Sequence, residues 1–276
     1  MQFLVETEGE KLEIMEKTIG FIGAGNMGKA LISALVNAGY DNIIVSDMNQ
    51  DNLDNIEEEY KLKTTHDNIY LAKESEIVVV CVKPDNLGKV LDGIKDYANN
   101  KLVVSIAAGK KLTYLSEHLA HCRVVRVMPF MGSMYGKGAT AYTLGKDCNE
   151  QDKKDIIEMF GKGGIVFEVE EQQMHAVTYL ASSPGLIAMY LHTITEELEE
   201  HGIHEQVTRD YLANVCYTMG DMLKSGERPV KTYKKVASRG GTTEAAHKYG
   251  EEHHFYDVLK GMINAAVEKS QELGRK

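Results

Sequence analysis

Six residues, Gly23-Ala24-Gly25-Asn26-Met27-Gly28, constrain this chain more than any other stretch. The glycines have the spacing G-x-G-x-x-G, and their surroundings give that spacing its meaning. Ahead of them runs Thr18-Ile19-Gly20-Phe21-Ile22, an apolar run of buried-strand character. Behind them, Met27, Ala30, Leu31, Ala34, Leu35 and Ala38 recur at helical spacing, and Gly39 stands where a helix C-cap belongs. The glycines therefore occupy a strand-to-helix turn. Gly23 permits the tight turn, Gly25 lets a pyrophosphate approach the backbone, and Gly28 lets helix and strand pack closely. The phosphates of a dinucleotide then meet free N–H groups at the start of a helix.

The first half continues in the same alternation. Residues 42–46 form a second strand ending at Asp47, close to where an acidic residue meets the adenosine ribose in such folds. A helical segment follows near 50–60, then a short strand at 61–63. Residues 77–82 are apolar on both faces, as a central parallel strand is, and stop at Lys83-Pro84. Strands at 102–106 and 124–127 end in Ala107-Ala108-Gly109 and Met128-Pro129, and the small residues of the first let a flat ring lie on the backbone. A strand at 139–142, a helix near 150–160 and a strand at 165–169 complete the half. Alternating strands and helices predict an α/β fold, an N-terminal doubly wound parallel sheet of Rossmann type. It spans residues 1–170, with 1–16 as an acidic extension. Met15 offers a second start within it, and both a native extension and a later start remain open.

From 171 to 276 the pattern is all helical, with long segments at 171–181, 185–201, 205–225 and 252–273. Met and Tyr stripes on these helices, such as Tyr211, Val215, Thr218, Met219 and Met222, read first as core. Their abundance also suits a face buried against a second subunit, so a homodimer or higher homo-oligomer is expected. The loop Ser238-Arg239-Gly240-Gly241-Thr242-Thr243 opens a helix, and two glycines followed by two hydroxyls make either a cradle for a carboxylate or an ordinary N-cap.

Composition excludes other classes. A net charge of -10 leaves no basic footprint for nucleic acid or an anionic membrane. No apolar run approaches the roughly 20 residues of a membrane span. Four scattered cysteines form no C-x-x-C pair, which points to a reduced, cytoplasmic protein. No metal site is expected: His253-His254 beside Glu251-Glu252 reads as a solvated helix end.

Several segments together resemble the pyrroline-5-carboxylate reductase family. They are residues 19–28, 65–68, Val82-Lys83-Pro84, 105–109, Met128-Pro129, Ser225-Gly226-Glu227 with Pro229, and 240–243, in the family's order. The resemblance implies hydride transfer from NADH or NADPH to the cyclic imine 1-pyrroline-5-carboxylate, giving L-proline, and a C-terminal helical domain interleaved with its twin. It implies that Gly23, Asn26 and Met27 lie under the pyrophosphate, with Gly25 and Gly28 in the same cofactor-binding turn. Asn68, Val82, Lys83, Pro84, Ala107 and Gly109 would line the ribose and nicotinamide end. Gly240, Gly241, Thr242 and Thr243 would hold the substrate, with Thr243 and Glu227 nearest the chemistry. Asp47 with no adjacent Lys or Arg favours NADH. Three departures lie on the substrate side: Phe130 where the family has Asn, Arg239 where it has Pro, and Ala181-Ser182-Ser183-Pro184 where it has Gly-Ser-Gly-Pro. They keep two alternatives open: a reductase of a related imino or oxo acid, and a dinucleotide-sensing homologue without turnover.

Overall fold

The computed structural model describes residues 16–275, so most of the expected extension lies outside the described residues. Eight strands form one sheet in the order β3-β2-β1-β4-β5-β6-β7-β8. They are β1 (Ile19–Ile22), β2 (Ile43–Ser46), β3 (Lys63–Thr65), β4 (Ile77–Val80), β5 (Leu102–Ser105), β6 (Arg123–Met128), β7 (Gly138–Leu144) and β8 (Gly164–Glu168). The helices between them are α1 (Asn26–Asn37), α2 (Gln50–Tyr60), α3 (Asn68–Glu74), α4 (Pro84–Ile94), α5 (Leu112–His118) and α6 (Glu150–Gly161). The strand order reverses between β1 and β4, and both pair in parallel in register, Ile19 with Ile77 through Ile22 with Val80. That reversal opens a crevice at their carboxyl ends, beside the glycine turn.

Strands buried on both faces explain the unbroken apolar runs. One face, including Phe21, Val45, Val79, Val104 and Val127, packs with Leu31, Leu35, Leu53, Ile56 and Phe160 of α1, α2 and α6. The other, including Val78, Val80, Val103 and Val124, packs with Leu71, Leu87, Leu91 and Leu115 of α3 to α5. Each such side chain contributes about 1.5–3 kcal/mol by leaving water. The sheet departs from all-parallel expectation at one pair, because β7 runs antiparallel to β6. The reason is the connection. A 3₁₀ turn at Met131–Tyr135 reverses the chain where a parallel neighbour would need a crossover of a dozen or more residues.

Five helices follow: α7 (Met174–Glu200), α8 (Glu205–Lys224), α9 (Pro229–Val236), α10 (Thr242–Glu252) and α11 (Phe255–Arg275). The break expected near 182–184 does not occur. α7 is one helix of 27 residues with Pro184 inside, where the proline supplies no backbone N–H to the helix. By compactness one unit runs to Ala181 and resumes at Ala266, and Ser182–Ala265 form the other.

The second unit corrects the reading of its Met and Tyr stripes as core. Among the described residues the three buried apolar clusters lie in the first unit. In the second, Met189, Tyr190, Val207, Tyr211, Val215, Tyr217 and Val236 are exposed, Tyr211 to 72%. These helices carry apolar faces that the single chain does not bury within that unit.

Candidate active site

The cofactor residues read from the sequence share one structural property: each follows the carboxyl end of a parallel strand. The glycine turn follows β1, Asp47 follows β2, Asn68 opens α3 after β3, Val82-Lys83-Pro84 follow β4, and Ala107 and Gly109 follow β5. The three glycines of the turn then separate by role. Gly23 has φ 104°, and a Cβ there would lie 2.7 Å from the Cys81 carbonyl oxygen. A Cβ on Gly28 would lie 2.2 Å from the Gly23 carbonyl oxygen. These two are required by the fold. Gly25 is different: among the described residues nothing lies within 4 Å of its Cβ position, so packing of the fold does not require a glycine there. Gly25 is also the N-cap of α1, with no side-chain cap and no acidic residue in the first turn. The uncapped N–H groups of that turn face the space Gly25 leaves open, which fits a pyrophosphate. Asn26 is exposed there and Met27 half-buried.

Asp47 is held against the turn. Its Oδ2 accepts from the Ala24 N–H at 2.7 Å and its Oδ1 from the Asn49 N–H at 2.8 Å. His66, which the sequence reading passed over, braces it: Nδ1 lies 2.7 Å from the Asp47 carbonyl oxygen and Nε2 lies 2.7 Å from Gln50 Oε1. Asn68 Oδ1 accepts from Ser46 Oγ at 2.7 Å, tying the start of α3 to β2. Lys83 is exposed as the N-cap of α4, with Pro84 at its first position. Ala107 is buried, and Gly109 turns with φ 81°.

Beside this edge sits a charge the sequence reading also missed. Arg126 of β6 is completely buried, and its three nitrogens have no hydrogen-bond partner among the described residues. Its nearest counter-charge is Glu171, 3.7 Å from Nη1. Burial lowers its pKa, and Glu171 opposes that. Glu171 Oε1 also accepts from the Leu112 N–H at 2.5 Å, so one carboxylate joins the start of α5 to β6. The neighbouring His175 is held below the usual imidazole range by burial and by Arg126 and Lys111. A lone Arg inside Val124-Val125-Arg126-Val127 was the available signal.

In the helical unit, Gly241 is the N-cap of α10, so Thr242 and Thr243 lie in its first turn and neither caps it. The cradle differs from a simple pair of free glycine amides. The Gly240 N–H donates to Glu244 Oε2 at 2.5 Å, and the Gly241 N–H donates to the Ser238 carbonyl oxygen at 3.0 Å. The donors left for an anion are the N–H groups of the first turn of α10 and the two threonine hydroxyls. Gly240 needs its φ of 72°, and a Cβ on Gly241 would strike Ser238 Oγ at 2.4 Å. Arg239 is exposed. Glu227 accepts from Thr232 Oγ1 at 3.0 Å and from Lys235 Nζ, and these partners hold its carboxyl below the usual range. Both its oxygens thus brace α9. Of the departures, Phe130 lays its ring on Gly132, where a Cβ would meet it at 2.5 Å. His253 stacks on Tyr249, and His254 lies 3.8 Å from Asp257.

Comparison with known proteins places this geometry. Residues 18–109 match the family model described as NADP oxidoreductase, coenzyme F420-dependent, and residues 171–273 match that described as pyrroline-5-carboxylate reductase dimerisation. Pyrroline-5-carboxylate reductase of Methanosarcina acetivorans is 33% identical over 265 residues, 94% of this chain and 98% of that protein. The chain belongs to the pyrroline-5-carboxylate reductase family. The Escherichia coli reductase is 30% identical, over 95% of this chain and all of that protein. The crystal structure of Plasmodium falciparum pyrroline carboxylate reductase, with NADP bound, superposes with a TM-score of 0.86 at 26% identity, covering 95% of this chain and 100% of that one. The reductase structure from Coxiella burnetii gives 0.83 at 28% identity, covering 94% and 99%. The protein is an NAD(P)-dependent oxidoreductase of Rossmann type with a helical dimerisation domain. No helix among the described residues is long and apolar enough to cross a membrane.

Proposed function

We propose that this protein reduces 1-pyrroline-5-carboxylate to L-proline with a reduced nicotinamide dinucleotide. The observation carrying most weight is Gly25: an open Cβ position at an uncapped helix start, within a chain akin to these reductases over nearly its whole length. When bound, the dinucleotide supplies a hydride. The chain's own work is orientation. The glycine turn holds the pyrophosphate, Asp47 the adenosine ribose, and the turn after β5 the nicotinamide end. The first turn of α10 holds the substrate carboxylate through its N–H groups and Thr243 Oγ1. A protonated cyclic imine is already electrophilic, so fixed geometry supplies most of the acceleration. The Thr243 hydroxyl or water delivers the proton that the product amine retains.

Asp47 supports NADH over NADPH, because its carboxylate would repel a 2′-phosphate. The exposed apolar faces of α7 to α11 support a homodimer whose helical domains bury each other and share active-site elements. A dinucleotide-binding domain to residue 170 and a helical domain from 171 is the division proposed, and the dimerisation match over 171–273 supports it. The test is oxidation of NADH and NADPH, followed at 340 nm, with pyrroline-5-carboxylate and a panel of other imino and oxo acids. Turnover of pyrroline-5-carboxylate with the higher kcat/KM supports the reading. Turnover of other imines alone, or cofactor binding without turnover, overturns it.

A further inference from the structure

The turn after β5 is gripped from outside by the end of the chain. At Gly109 a Cβ would lie 2.6 Å from the Ser270 carbonyl oxygen and 2.8 Å from the Gly274 amide nitrogen. At Gly274 a Cβ would lie 2.4 Å from the Gly109 carbonyl oxygen. Two bare backbones, one in the last turn of α11, therefore touch at a spacing that admits no side chain on either. α11 is fixed from its other flank by α7. Ser270 is 2% exposed, its Oγ lies 3.0 Å from His175 Nδ1, and it donates to Thr178 Oγ1 at 3.3 Å. The Gly109 turn cannot retreat without loss either, since it joins β5 to Lys110, which is buried with its Nζ over the Tyr114 ring at 4.3 Å.

We propose that Gly274 is a positioning residue for the nicotinamide end of the cofactor, acting through Gly109. This rests on the reading that Ala107–Gly109 line that end. The turn has a left-handed residue at its apex and no regular structure of its own, so its position is set by what packs against it. The last turn of α11 supplies that packing. A methyl at 274 forces the Gly109 carbonyl away by roughly 0.6 Å or more, and displacements approaching 1 Å at a hydride-transfer site cost up to about a hundredfold. The adenosine half, held at β1 and β2, does not sense the change.

The experiment compares NADH with ADP-ribose, which lacks the nicotinamide, as ligands of the full-length protein. For Gly274→Ala the Kd of NADH, read from nicotinamide fluorescence, is expected to rise about tenfold, while ADP-ribose, read by calorimetry, stays within about twofold. A chain ending at Leu273 removes the Gly274 part of the contact without adding bulk, leaving Ser270 and Leu273 in place, and is expected to show the same selectivity, at about threefold. Equal weakening of both ligands, or none, overturns the proposal, because loosened structure would not distinguish the two halves of the cofactor. Gly25→Ala separates this from the cofactor reading. It should weaken both ligands; should it weaken neither, the cofactor reading fails and the proposal with it.

Discussion

The same substitution, made at two glycines three residues apart, is expected to have opposite consequences. In Gly28→Ala the new methyl carbon meets the Gly23 carbonyl oxygen at 2.2 Å. Gly23 has no room to yield, because its own Cβ position is blocked by the Cys81 backbone. Overpacking of this kind costs about 1–3 kcal/mol, and the gain from replacing a helical glycine offsets up to about 1 kcal/mol. With two backbones opposed the upper part of the range applies, for a net loss of about 2 kcal/mol, or roughly 4–8 °C in Tm. In Gly25→Ala the methyl meets nothing, and φ -66° with ψ -174° suits alanine. The unfolded chain loses freedom, so stability should hold or rise by about 0.4–1 kcal/mol. The methyl stands in the path of the pyrophosphate, however. Losing one charge-assisted hydrogen bond is worth about 1.5–3 kcal/mol, so the Kd of NADH should rise ten- to hundredfold by that estimate. Melting curves at one fixed protein concentration, since dimerisation makes Tm concentration-dependent, and fluorescence titration with NADH measure both. A Gly25→Ala protein that melts early and binds NADH normally would refute the division of labour among the glycines.

Thr243→Ala should lower kcat/KM for pyrroline-5-carboxylate about ten- to hundredfold and leave the Kd of NADH unchanged, which steady-state kinetics and titration check. Asp47→Ser should shift the NADH:NADPH ratio of kcat/KM toward NADPH by about tenfold, and an unaltered ratio removes Asp47 from cofactor choice. For Glu227 the folded pKa is lowered by Lys235 and Thr232, so its contribution is present above its unfolded value of 4.5 and is lost as pH falls through the folded value. Glu227→Gln should therefore lower Tm at pH 7 and converge with the parent in acid, and a constant difference from pH 7 to 3 would contradict this. Glu171→Gln leaves the buried Arg126 without its nearest counter-charge. It should cost at least about 2 kcal/mol by denaturant unfolding, and Arg126→Met in the same chain should recover most of it.

The sequence by itself determined whatever depends on local pattern. The glycine spacing between an apolar run and a helical stripe located the dinucleotide turn. The two-faced apolar runs located the parallel strands, and Asp47, Lys83 and Gly109 followed as residues at strand ends. Tertiary structure decided whatever depends on which backbones meet. Gly23, Gly25 and Gly28 look alike in one dimension; only the folded chain separates the two that its own carbonyls require from the one left open. β7 reads as another strand, and its antiparallel direction depends on a short turn with no strong local signature. Glu227 reads as a candidate near the chemistry, yet Thr232 and Lys235 occupy its oxygens. Gly240 and Gly241 read as free donors, yet Glu244 and Ser238 occupy theirs. The Tyr and Met stripes of α7 to α11 show the same limit: periodicity reveals that a face is apolar, but only packing reveals whether its own unit covers it.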